Sequence, residues 1–160
     1  HPRLATIDTR DVKLPEAATP LAVTLRVVDD LDISRGHMIA DPTDPPSLTS
    51  EFGATVCWMS EESTLTVGQM YWLKHTTRRI RTRIASIEYL VDVNTLEHKL
   101  SPNTLTLNEI GSVCFHTTEP IFWDPYRKNR ATGSFILIDQ STNNTVGAGL
   151  ITGPCNEATT

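Results

Sequence analysis

The chain has 160 residues, a hydrophobic fraction of 39%, a charged fraction of 21% and a formal net charge of −5, which are values of a soluble globular protein. The acidic balance argues against broad, sequence-independent binding to nucleic acid, which requires a basic surface, although a local basic patch remains possible. No stretch approaches the roughly 20 apolar residues of a membrane span, and the first residues, HPRLATIDTR, lack the apolar core of a signal peptide. We therefore expect a cytoplasmic protein without a membrane partner.

Apolar and polar residues alternate along several short segments, which is the pattern of half-buried β-strands. The clearest of these segments are residues 21–27, 54–58, 71–75 and 113–115. Turn-forming residues separate them, among them Ser34-Arg35-Gly36 and Asn143-Asn144. A strand spacing of roughly ten residues predicts an all-β barrel or sandwich.

The longest predicted strand is the run RRIRTRIASIEYLV at residues 78–91. It is rich in β-branched residues, and its apolar positions do not follow a helical period. Ile80 and Ile84 share one face of an extended chain, whereas Ile87, Tyr89 and Val91 share the other. This change of phase near Ala85-Ser86 predicts a β-bulge or a barrel corner within one bent strand.

Three prolines between residues 41 and 47 cannot donate to a β-ladder, so residues 42–47 are predicted to form a linker. Residues 1–41 then hold about three strands, which are too few to close a barrel and which leave edges open to self-association. Residues 48–153 hold about six strands, enough for a closed barrel, and residues 154–160 form a tail. We expect a six-stranded barrel preceded by a partial second barrel.

The cysteines Cys57, Cys114 and Cys155 are far apart in the sequence and form no C-x-x-C pair. This pattern indicates neither a zinc site nor a disulfide framework. We expect three reduced thiols, with Cys57 and Cys114 packed within strands, as is usual for a cytoplasmic protein.

Motifs for catalysis, cofactors or metals are missing from the sequence. It has no G-x-x-x-x-G-K-[ST] loop for a nucleoside triphosphate, and Thr152 replaces the last glycine of a dinucleotide fingerprint that would begin at Gly147. The histidines have no metal-ligand spacing, so His75 and His116 are interpreted as hydrogen-bonded strand residues. The acidic run at 29–32 is interpreted as a solvated turn. We expect no catalytic residue, cofactor or metal ligand in this chain.

A cationic cluster is the strongest candidate site. Its members crowd into ten residues of an otherwise acidic chain: Lys74, His75, Arg78, Arg79, Arg81 and Arg83. Alternation places Arg79, Arg81 and Arg83 on one face of a strand as a positive stripe. The stripe either protects an exposed sheet edge from unwanted strand pairing or binds an acidic protein or an RNA backbone. Arg130, in the connection at 129–132, is a further candidate for partner binding.

Four segments together carry a resemblance to a known family: YLVDVNTLE (89–97), LTLNEIGSV (105–113), DPYRKNRATGSFILID (124–139) and TNNTVGAGLI (142–151). They resemble the C-terminal β-barrel of the large, GTP-binding subunit of bacterial sulfate adenylyltransferase, a relative of translation elongation factors. VTLRVVDDLDISRGHMIA (23–40) resembles the end of the second β-barrel of that family. In such barrels residues 134–139 pair with 145–151 across a turn at 140–144, with Phe135 and Leu137 on one face.

The resemblance implies a non-catalytic part of an enzyme that makes adenosine 5′-phosphosulfate from ATP and sulfate. In the family, GTP and Mg belong to an N-terminal P-loop domain, and adenylyl transfer occurs on a smaller subunit. The expected partners are therefore the GTPase domain and the small subunit, and the acidic charge disfavours nucleic acid. The alternative is a translation-factor-like barrel that binds tRNA through the 78–83 stripe. His37 stands where the family usually has an acidic residue, so no charged role is carried over there.

Overall fold

The computed structural model describes residues 4–10, 12–91 and 102–155, together with the backbone of 98–100. The described residues contain no helix and form twelve strands: β1 Leu4–Thr9, β2 Val12–Leu14, β3 Thr24–Val27, β4 Ser47–Trp58, β5 Leu65–Thr66, β6 Met70–His75, β7 Arg78–Val91, β8 His98–Leu100, β9 Thr104–Leu105, β10 Ile110–Trp123, β11 Ser134–Ile138 and β12 Thr145–Gly153. The all-β prediction is confirmed.

The chain divides into two compact units, His1–His37 and Met38–Thr160. The first unit contains a three-stranded antiparallel sheet in the order β2-β1-β3. An ion pair between Arg26 and Asp8, 2.9 Å from Nε to Oδ2, joins its outer strand β3 to β1. Leu4 and Val12 remain exposed on this small sheet. The domain limits inferred from the prolines stay a prediction.

The second unit is a closed barrel. Its strands follow the order β10-β4-β12-β11-β6-β7, and β7 also pairs with β10, which completes the ring. Neighbouring strands of the ring are antiparallel. The prediction of a six-stranded barrel is therefore confirmed. Strand β8 pairs with the end of β7, and β5 pairs with β9 in a separate two-stranded sheet.

Aromatic rings from three different strands meet in the barrel core. Phe52 of β4 stacks on Phe115 of β10, with ring centroids 5.6 Å apart. Phe135 of β11 packs edge-on against both rings, at 5.7 and 5.1 Å. All three side chains are buried. Edge-to-face pairs of this kind add roughly 0.5–1.5 kcal/mol beyond the area that they bury.

Strand β7 bends as the sequence predicts. Its register with β10 skips Ala85 and Glu88, so that Phe115 lies opposite Ile84 and Val113 opposite Ile87. Each extra residue reverses the parity of the strand, and Ala85 is the one that lies between Ile84 and Ile87. Ile84 and Ile87, an odd number of positions apart, are consequently both buried in the core.

The hairpin of β11 and β12 also follows the prediction. Ser134 pairs with Leu150 and Ile138 with Thr145, and Phe135 and Leu137 are buried. A Cβ on Gly149 would overlap the ring of Phe135. This glycine therefore serves close packing within a strand, in agreement with the interpretation of residues 147–152 as something other than a nucleotide loop.

The cysteine prediction requires a correction. Cys114 and Cys155 form a disulfide with a Cα–Cα distance of 5.4 Å, while Cys57 is free and half-buried. The expectation of three reduced thiols is wrong for this pair because sequence spacing does not report which cysteines the barrel brings together. The distance lies in the middle of the range that disulfides adopt.

The part of the chain that the structure describes holds no helix long and apolar enough to span a bilayer.

Candidate partner-binding surface

The outer face of strands β6 and β7 carries most of the predicted cationic cluster. A tight turn with Thr76 at φ 51° joins the two strands, and Lys74 lies opposite Arg79 while Trp72 lies opposite Arg81. The interior side of β7 is taken by buried residues such as Ile80 and Ile84. Alternation therefore directs Arg79, Arg81 and Arg83 outward, where all three are exposed.

Trp72 lies at the centre of this face and was not among the residues singled out from the sequence. The guanidinium carbons of Arg79 and Arg81 lie 4.8 and 5.2 Å from its ring centroid. Each such contact contributes roughly 0.5–1 kcal/mol at an exposed site. Arg79 also donates from Nη2 to Oδ1 of Asn143 at 2.9 Å. The half-buried ring of Trp72 on β6 is thus held against the guanidinium groups of two arginines on β7.

We call this group the cationic face: Trp72, Lys74, Arg79, Arg81 and Arg83. Among the described residues, none of its four cations has a carboxylate within ion-pair distance. Carboxylates lie at its border instead. Glu119 pairs with Arg78, and Glu51 lies 3.0 Å from Nδ1 of His116, the residue opposite Arg83. The positive charge of the face is therefore uncompensated in a chain whose net charge is −5.

Arg78 is turned away from the cationic face. Its guanidinium donates to the backbone oxygen of Pro120 at 2.9 Å and to the carboxylate of Glu119. These bonds connect the start of β7 to β10. The side chain is thereby engaged in joining two barrel strands, unlike the three arginines that follow.

His75 does not lie on the surface at all. It is buried in the barrel, only 2% exposed, and its Nε2 lies 2.7 Å from the backbone oxygen of Thr132, to which it donates. Burial lowers the pKa of this imidazole, while the bond to Thr132 acts in the opposite direction. The structure therefore separates His75 from its sequence neighbour Lys74, because successive residues of a strand face opposite sides. Arg78 lies directly opposite His75 in the β6–β7 ladder.

Arg130 lies in the connection between β10 and β11, on a different element from the cationic face. Its guanidinium carbon is 5.9 Å from the ring of Tyr126. Its backbone oxygen accepts a hydrogen bond from Oγ of Ser134 at 2.8 Å. Arg130 is exposed, as expected, but the structure does not join it to the cationic face.

A polar network that sequence reasoning missed holds this connection. Lys128 Nζ lies 2.6 Å from Asp44 Oδ1 and 3.1 Å from Asp124 Oδ1, and Thr132 donates to Asp124 Oδ2 at 2.8 Å. The hydrogen bond to Asp44 and that to Asp124 raise the pKa of Lys128. The network ties the segment before β4 to the end of β10. Asp44 is far in the sequence from the other three residues, so sequence spacing does not reveal the network.

Comparison with known proteins defines the class of this barrel. Residues 51–152 match the model of the GTP-eEF1A C-terminal domain-like family, and the chain belongs to that family. A solved structure of Sup35 complexed with GMPPNP superposes with a TM-score of 0.81 over 97% of this chain and 38% of the other, at 22% sequence identity. At that identity the likeness shows the fold alone.

The relatives identify a narrower group. The bifunctional enzyme CysN/CysC of Mycobacterium tuberculosis is 48% identical over 149 residues, which cover 93% of this chain and 24% of that enzyme. Sulfate adenylyltransferase subunit 1 of Bacteroides fragilis is 48% identical over 145 residues, covering 91% and 30%. The resemblance stated from the sequence is confirmed, and this chain spans about a quarter to a third of these relatives.

Proposed function

We propose that this chain is a supporting barrel region of a sulfate adenylyltransferase large subunit and has no catalytic centre of its own. The observation that carries the proposal is the identity of nearly half of all aligned positions with proteins of that name. In this proposal GTP and Mg are bound outside residues 1–160, and adenylyl transfer takes place on a smaller partner in the cytoplasm.

The cationic face is the proposed docking surface. Four cations without a carboxylate partner among the described residues create a positive potential that favours an acidic surface and repels other basic ones. Trp72 supplies a rigid aromatic contact of the kind that is enriched at the centres of interfaces. Protection of a sheet edge does not account for Arg83, which is paired with Met70 of β6 on one side and His116 of β10 on the other, whereas Arg79 and Arg81 are paired with β6 alone.

The proposed occupant is an acidic protein surface, either on the GTPase domain or on the small subunit. The test replaces Arg79, Arg81 and Arg83 with Gln and titrates the variant against each partner at low and high salt. Exposed ion pairs contribute roughly 0.2–1 kcal/mol each, so a total loss of about 1–3 kcal/mol in binding free energy is expected, smaller at high salt. The melting temperature of the isolated chain should fall, because the contacts of Arg79 and Arg81 with Trp72 and the bond from Arg79 to Asn143 are lost. The titrations are therefore run well below that temperature, where the variant is folded.

A charge-matched control keeps the cationic face intact. Replacing Arg10, Arg35 and Arg127 with Gln removes the same net charge from exposed positions elsewhere. This control should retain the affinity of the original chain. Equal weakening by both triple variants would indicate a general charge effect and contradict a specific surface. Salt-dependent RNA binding that the first variant alone abolishes would contradict an acidic protein as the occupant of that surface.

A further inference from the structure

The chain after β12 crosses the outside of the barrel. A Cβ on Gly53 of β4 would lie 3.3 Å from the backbone oxygen of Pro154, which is tighter than an ordinary contact. Thr152 donates from Oγ1 to the backbone oxygen of Gly53 at 3.1 Å. Cys155, which follows Pro154, is bonded to Cys114 of β10. The segment therefore passes over one strand and is fixed to the neighbouring one.

The outer face of β4 and β10 is shaped for this crossing. Gly53 lies directly opposite Cys114 in the ladder, so that the two positions share a face. Val113 and Phe115 are buried in the barrel core, and alternation therefore directs Cys114 outward. It is nevertheless only 8% exposed, as expected for an outward side chain covered by the crossing segment. Any side chain at position 53 would meet that segment.

The barrel does not need this bond to stay closed. The pairing of β12 with β4 runs from Gly147 opposite Trp58 to Gly153 opposite Gly53, before the cysteine is reached. Strand β10 is held by β4 on one side and β7 on the other. Breaking the disulfide should therefore release the chain after Gly153 and leave the ring of strands intact.

We propose that Cys114–Cys155 is a reversible redox latch, which fixes Pro154 and Cys155 to the outside of the barrel when oxidised and frees them when reduced. A thiolate of a low-molecular-weight thiol attacks Sγ of Cys155, which is less buried than Cys114, and the Cys114 thiolate leaves. A second thiolate attacks the sulfur of the bound thiol, releasing Cys155 and a small disulfide. Two thiols are oxidised for each protein disulfide reduced. Reversibility rests partly on the proposed cytoplasmic location, where disulfides are usually transient or redox-sensing.

The test equilibrates the complete chain in buffers with a range of ratios of reduced to oxidised glutathione and reads the Cβ chemical shifts of Cys114 and Cys155 by NMR. Both cysteines should convert together, over a range of ratios at which the barrel stays folded. On reduction, the backbone order parameter of Cys155 should fall from about 0.85 to below about 0.6, while that of Ile151 in β12 should not change. A bond that never forms, or that persists at every ratio, would overturn the proposal.

Three variants separate the latch from general effects on the barrel. Cys155→Ser should reproduce the low order parameter at position 155 under oxidising conditions, and Cys57→Ser, on β4 but outside the disulfide, should behave as the original chain. Gly53→Val should shift the midpoint of the equilibrium toward more oxidising buffers, because its side chain obstructs the crossing. An unchanged midpoint, or reduction that also exposes β12, would contradict the mechanism. Neither a partner nor a nucleotide is present, so failure of the docking proposal would leave these results unaffected.

Discussion

At the scale of single residues, the barrel interior contains polar side chains that are all hydrogen-bonded. His75 donates to the backbone of Thr132, Thr82 donates to the oxygen of His116 at 3.3 Å, and Thr117 donates to that of Ser50 at 3.1 Å. Among the described residues, no buried side-chain N or O atom is without a partner. Each bond satisfies a group whose burial would otherwise cost about 1–3 kcal/mol.

His75 predicts a pH dependence of stability. Burial holds its pKa in the folded chain below the ordinary value of 6.5, so the unfolded chain takes up a proton that the folded chain does not. Stability should therefore fall as the pH decreases from 6.5 toward the lowered pKa, by at most about 1.4 kcal/mol per pH unit. Urea unfolding between about pH 7.5 and pH 5 measures this slope.

The matched variant is His75→Gln, which can keep a donor but does not titrate. It should be less stable than the original chain near neutral pH, because packing around the ring is lost, and should show a shallower decrease on acidification. Contributions of the other histidines are the same in both proteins and cancel in the comparison. Parallel pH profiles would contradict a neutral, buried His75.

At the scale of elements, the turn of the β11–β12 hairpin is fixed by one carboxylate. Oδ1 of Asp139 accepts hydrogen bonds from the backbone N of Ser141 and of Thr142, both at 2.9 Å, and from Oγ of Ser141 at 2.6 Å. These bonds, led by the Ser141 hydroxyl, lower the pKa of Asp139 to about 2. Asn143 completes the turn with φ at 59°, a conformation that asparagine tolerates better than most residues.

Asp139→Ala should destabilise the barrel by about 1–2 kcal/mol because two backbone N–H groups lose their acceptor. Asp139→Asn keeps an oxygen acceptor and should lose less. The original chain should lose stability as the pH falls from 3.8 toward 2, since the lowered pKa makes its contribution depend on ionisation, whereas the Asn variant should lack that component. Denaturant unfolding at neutral and acidic pH tests both points, and a neutral alanine substitution would refute the role of Asp139.

At the scale of the whole molecule, the proposed supporting role predicts that residues 1–160 bind no nucleoside triphosphate. These residues contain no G-x-x-x-x-G-K-[ST] loop, the loop by which P-loop proteins bind β- and γ-phosphates. We expect calorimetric titration of residues 1–160 with GTP or ATP, in the presence of Mg, to give no binding heat. A complete large subunit from a relative serves as the positive control. Micromolar binding in a 1:1 ratio would contradict the supporting role.

Several features follow from the sequence with little ambiguity. Alternation along residues 78–83 gives the outward direction of Arg79, Arg81 and Arg83, and the phase change near Ala85 gives the bend in β7. The apolar hairpin at 134–151 and its turn are equally local. Trp72 could have been added, because it shares the parity of Lys74 in the same strand. Each of these depends only on the period of a strand and on nearby turn residues.

The strand-rich fold, the faces of the strands and the family of the barrel could all be predicted from the sequence. They depend on local alternation and on motifs of contiguous residues. Three contacts between distant residues are visible only in the tertiary structure. Strand β7 pairs with β10 to close the ring, Cys114 bonds to Cys155, and Lys128 forms ion pairs with Asp44 and Asp124. The tertiary structure also separated buried His75 from the exposed cations beside it. Contacts between distant residues depend on the register of strands around the barrel, and that register is fixed by simultaneous packing of the whole core, not by any single segment.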